Sequence, residues 1–103
     1  MTYVVRFSAL VSMLPLIRSH ERILQGGQGI NMMIRGAFHT CHVVSTSHGI
    51  ARGQSGEAVF DAFFDKYPDG HEFPEGGIVG LYDGPSLKVG EARVTKVIAR
   101  DGV

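Results

Sequence analysis

The residues most able to do chemistry lie close together in Phe38-His39-Thr40-Cys41-His42, with His48 shortly after. On an extended chain, side chains alternate between faces, so His39 and Cys41 share one face and His42 takes the other. Imidazole and thiolate ligands two residues apart can reach one zinc ion, and a site needs three or four ligands. His39, Cys41 and His48 are therefore the candidate metal set, with His71, Asp69 or Glu72 as further donors. The spacing matches no standard zinc signature. Cys41 is a weaker candidate as a nucleophile. Its neighbour His42 points away on a strand, His39 is poorly aligned as a base, and no oxyanion donor stands out.

Two glycine-rich stretches could approach phosphate. Gly26-Gly27-Gln28-Gly29 follows a helical pattern and lacks the Lys-Ser/Thr of a phosphate loop. Residues 49–56 precede an expected helix, whose first N–H groups at Ser55 to Ala58 could hold an anion beside Arg52. Asp61 and Asp65, one helical turn apart, could share a cation, although a solvated face is the simpler account.

These residues need elements to hold them. Tyr3, Val5, Phe7, Ala9, Val11 and Met13 alternate with Val4, Arg6, Ser8, Leu10 and Ser12, the pattern of a strand with one buried face. Pro15 suits the first turn of a helix, and Leu16, Ile17, His20, Ile23 and Leu24 then recur at helical spacing up to the Gly26-Gly27 stop; a single helix from about Ser8 to Gln25, kinked at Pro15, is the alternative. Residues 30–46 are strand-like, with Ile30, Met32, Ile34, Phe38 and Val44 on one parity. Their length implies two strands or a bend. A second helix is expected after Ser55 as its cap, with Val59, Phe60, Phe63, Phe64 and Tyr67 as its apolar stripe and Pro68-Asp69-Gly70 as its end. Ile78–Tyr82 and residues 87–99 complete the strands. The expected fold is α+β: a small antiparallel or mixed sheet with two helices packed on one face. A small β-barrel capped by helices is the alternative.

Composition bounds the function. The chain has 103 residues, 44% hydrophobic and 19% charged, which fits one globular domain over residues 1–103. Ten basic residues balance ten acidic ones, so there is no overall pull toward nucleic acid or an anionic membrane. A lone cysteine excludes an intrachain disulfide and fits a reducing compartment. The apolar run from Phe7 to Ile17 is only faintly like a signal peptide, and its eleven residues are too few to span a bilayer.

Two resemblances follow from longer stretches. Ser86 to Ile98, ending in Ala99-Arg100-Asp101-Gly102, resembles the closing hairpin of small phage head–tail joining proteins, and Ile34-Arg35-Gly36-Ala37-Phe38 resembles one of their strands. That likeness implies an assembly protein, cytoplasmic or virion-associated. Gly76-Gly77-Ile78-Val79-Gly80 followed by Gly90-Glu91-Ala92-Arg93-Val94 resembles the closing strands of ASCH/PUA-like RNA-associated barrels, which implies nucleic-acid or nucleotide binding. Neither resemblance carries an active residue onto this chain.

Three functions are thus in view. The first is a non-enzymatic structural or interaction module that forms a homo-oligomer or joins a larger protein assembly, without cofactor or membrane partner. Residues 30–34 and 78–82 would need a covering partner if they lay at a sheet edge. The second is a nucleic-acid binder in which Arg35, Arg52, Arg93 and Lys96 converge. The third is a zinc-dependent hydrolase centred on His39, Cys41 and His48.

Overall fold

The computed structural model describes residues 3–15, 23–65, 76–84 and 87–102. Among these residues there are six strands and no helix: β1 (Tyr3–Met13), β2 (Gly29–Ile34), β3 (Ala37–Thr46), β4 (Ser55–Phe64), β5 (Ile78–Tyr82) and β6 (Lys88–Gly102). They close into an antiparallel barrel in the order β1-β4-β3-β2-β5-β6, with β6 returning to β1. The meander β2–β3–β4 with β1 brought back beside β4 is a Greek key.

The stagger of the barrel can be followed through its pairs. Met13 pairs Gly90, Gly90 pairs Leu81, Leu81 pairs Met32 and Met32 pairs His39. The register of β3 and β4 continues from His39 to Phe64, whose rings lie 4.5 Å apart, and Phe64 pairs Tyr3. One circuit thus returns to β1 ten residues away (13 − 3 = 10). A shear of this kind is what tilts the strands and closes the sheet. Register shifts absorb the mismatch. Ile98 and Thr95 are extra residues of β6 against β1, Val89 is extra against β5, and Val44 is extra in β3 against β4.

The interior is apolar throughout. Val5, Phe7, Ala9, Val11 and Met13 of β1 all face inward, as their alternation predicts. Ile30, Met32 and Ile34 of β2 and Val79 and Leu81 of β5 join them, and no polar or charged residue is buried among the described residues. Residues 30–46 are two strands, joined by a two-residue turn at Arg35 (φ 51°) and Gly36 (φ 82°). Two left-handed residues in succession mark the turn whose twist matches a hairpin. The segment Ile34–Phe38 therefore rounds a corner and is not one strand.

The α+β expectation is overturned. The second helix is instead β4. Its inward row is Ala58, Phe60, Ala62 and Phe64, while Val59, Asp61 and Phe63 are half-buried on the outside. The phenylalanines fit either period. The two small alanines between them hid the alternation, and pairing with β1 on one side and β3 on the other decides the outcome. Tyr67 and the Pro68-Asp69-Gly70 stop lie outside the described residues. So does most of the first expected helix. Its last member, Leu24, is buried and forms a bridge with Ile50, each N–H donating to the other's carbonyl at 2.9 Å. The barrel alternative also loses its capping helices among the described residues.

Candidate functional site

Cys41 projects from β3 into the core and is fully buried. Its Sγ lies 3.6 Å from the carbonyl oxygen of His39, and burial pushes its thiol up to about 12. A thiol held neutral in hydrocarbon is neither nucleophile nor ready ligand. His39, two residues earlier, sits half-buried where β3 meets the end of β4. Its ring packs on Phe64, and Nδ1 lies 3.3 Å from the Phe63 carbonyl. His48 is exposed and lies elsewhere: Nδ1 is 3.2 Å from Ser47 Oγ, and its ring crowds Gly56. Gly56 and Phe63 are seven residues apart on β4, about 23 Å along the strand. The fold thus brings His39 and Cys41 together and holds His48 apart. No three His, Cys, Asp or Glu side chains among the described residues form a metal-binding group. Asp69, His71 and Glu72 lie outside those residues.

The two anion and cation candidates at β4 also change character. Ser55 to Ala58 open a strand, so no row of free helix N–H groups exists there. Asp61 is bonded across the β1–β4 seam to Arg6, Nε to Oδ1 at 2.8 Å and the terminal nitrogen to Oδ2 at 2.9 Å. This two-pronged pair is the preferred geometry of guanidinium with carboxylate.

The four basic candidates divide. Arg93 is exposed on β6, opposite Ile78 of β5 on one side and Leu10 of β1 on the other. Arg35 occupies the β2–β3 turn, and the β2–β5 register that pairs Met33 with Gly80 brings it level with Ile78. These two arginines thus flank Ile78. Lys96 lies further along β6, opposite Ser8, and Arg52 lies in the loop whose Gly53 N–H donates to the Met13 carbonyl.

Around Ile78 the outer face of β3, β2 and β5 carries a feature absent from the expectations. Phe38 is 43% exposed and Ile78 60%. Tyr82 meets Phe38 edge-on, with ring centroids 5.1 Å apart and planes at 83°. The Tyr82 ring lies back over Gly80, so close that a Cβ there would stand 2.8 Å from Cε1. Half-buried Met33, paired with both Phe38 and Gly80, forms the floor. Shared parity with Ile30, Met32 and Ile34 predicts that Phe38 is buried. The turn pairs Ile34 with Ala37, so odd positions of β3 face inward and Phe38 faces out. The Arg35-Gly36 dipeptide is the one sequence signal that could have revealed this.

Compared with known proteins, the chain matches no protein-family model and no curated protein sequence. No helix among the described residues is long and apolar enough to cross a membrane.

Proposed function

We propose that this protein is an interaction module that associates with a second copy of itself through the outer face of β3, β2 and β5. The observation that carries this reading is exposed Phe38, packed edge-on against half-buried Tyr82, with exposed Ile78 on the same outer face of the closed sheet. Tyr, Phe, Met and Arg are the residues enriched where proteins dock, and aromatic anchors on fixed strands lose little entropy on binding. Charges of both signs border this face: Arg93 lies next to Glu91 on the same side of β6, and Glu91 is paired with Lys88 at 3.2 Å. Residues 30–34 and 78–82 are not sheet edges in need of a covering partner, because β2 and β5 pair with each other and the barrel is closed.

Sedimentation equilibrium tests the proposal. The wild type should form a dimer, and Phe38→Asp with Ile78→Asp should yield a folded monomer. A wild type that stays monomeric at the highest soluble concentration overturns it. Arg35 and Arg93 on either side of the aromatic rings support a second reading, single-stranded nucleic acid stacked on the same face. That reading requires binding that weakens steeply with salt.

A further inference from the structure

On the side of the barrel formed by β3, β4, β1 and β6, an open cleft of about 290 Å³ runs over the β1–β4 seam. Its shape follows from the register. Thr95 is the extra residue of β6 opposite the Ser8–Ala9 step, and Val44 is the extra residue of β3 opposite the Val59–Phe60 step. Bulges bend a strand and re-aim its side chains, and here one stands on each flank of the seam. Between them the floor is low, made by Val59 opposite Ser8.

Five of the nine lining residues carry hydroxyls. Ser8 Oγ and Thr95 Oγ1 are 2.9 Å apart on one flank. On the other are Ser45 and Ser47, the latter accepting from the Glu57 N–H at 3.3 Å. Glu57 is the one charged residue lining the cleft among the described residues. Each hydroxyl both donates and accepts, and rotates to suit its partner. A carboxylate adds a strong acceptor while repelling anions.

We infer that this cleft is a binding site for a neutral polyhydroxylated ligand, a single sugar ring or the end of a glycan chain. The ligand's hydroxyls would meet Ser8, Thr95, Ser45 and Ser47. Glu57 would accept from a vicinal diol, and the Val59 methyls would face the C–H side of the ring. The volume sits at the small end of ligand sites, which suits one ring and not an extended chain. Glu57 disfavours phosphorylated sugars, although Lys96 stands opposite Ser8 at the edge of the cleft. The site is independent of the Phe38 face.

Titration of the full-length protein with glucose, galactose, mannose and N-acetylglucosamine, followed by backbone-amide NMR shifts, tests the inference. At least one sugar should give saturable shifts confined to the amides around Ser8, Ser47, Glu57 and Thr95. The matching sugar phosphate should bind at least about tenfold more weakly. Ser8→Ala with Thr95→Val, both at outer positions, should leave the melting temperature in place and weaken binding by about tenfold or more. Absence of saturable shifts with all four sugars overturns the inference. So do shifts unaffected by the double substitution, or a sugar phosphate that binds as well as the neutral sugar.

Discussion

Phe7 and Phe60 face each other across the β1–β4 seam, ring centroids 5.4 Å apart and planes inclined by 25°. Both are fully buried, and they join the two strands at the centre of the core. Phe60→Ala should destabilise the protein by about 3–5 kcal/mol, from lost transfer energy plus the cavity left behind. That is a large fraction of the total stability of a domain this size. Phe63 offers the contrast. It lies on the outer face against His42, centroids 5.1 Å apart, so Phe63→Ala should lose less than about 1 kcal/mol. Urea denaturation of the two variants checks the difference. A helical stripe would bury both rings and make the two losses similar.

The β2–β3 turn makes a second claim. Arg35 and Gly36 both have positive φ, 51° and 82°. Gly36→Ala should destabilise by about 1–2 kcal/mol, because a Cβ disfavours this conformation. Arg35→Asn should hold or raise the melting temperature, since asparagine is preferred at the first position of such a turn. Thermal melts of both variants decide it. Equal losses from the two changes would mean that the turn is not what sets this corner.

How much of this was legible depends on what each strand's two faces carry. In β1 the outward positions include Arg6, Ser8 and Ser12, so alternation stands out and the inward row from Val5 to Met13 can be read from it, although a helix from about Ser8 to Gln25 is the alternative. In β4 the outward positions include Val59 and Phe63, while two inward ones are Ala58 and Ala62, so the apolar signal lost its period of two. Ser55 and Glu57 then imitated a helix cap. Closure was not readable either, because it depends on β1 meeting both β4 and β6 across long stretches of chain. The metal candidates were chosen by nearness in sequence. His48 follows Cys41 by seven residues, but the strand leaves the His39 end before reaching it. The arginines fared differently: Arg35 and Arg93, far apart in sequence, come to the two sides of Ile78 only through the β5 register.

Gly80 governs the exposed aromatic face. Because its missing Cβ leaves room for the Tyr82 ring, Gly80→Ala should drive the ring away from Phe38. The barrel itself should survive, since the displaced group is an outer side chain and not backbone. The expected result is loss of the ring-current shift that Tyr82 imposes on Phe38, with a stability change of about 1 kcal/mol or less. If self-association uses this face, dimer affinity should fall in the same variant. An unchanged Phe38 spectrum would show that the ring accommodates the methyl and that Gly80 is not what holds it.

Cys41 gives the pH dependence. Burial raises its thiol from an ordinary 9.0 to about 12; a hydrogen bond from the Met32 backbone opposes the shift, and the charge of Asp61 adds to it. The folded state therefore holds this proton more tightly than the unfolded chain does. The stabilisation is fully present below pH 9 and is lost as pH rises toward 12. In that window Cys41 should contribute a fall of about 1.4 kcal/mol per pH unit. Other groups also titrate there, so the test is a comparison. Cys41→Ala should be less stable than wild type at neutral pH, from the small cavity, but should lose stability less steeply in alkali. The native thiol should also resist alkylation at neutral pH and react only once urea unfolds the barrel. Rapid alkylation without urea, or parallel alkaline slopes for the two proteins, would place Cys41 outside the core.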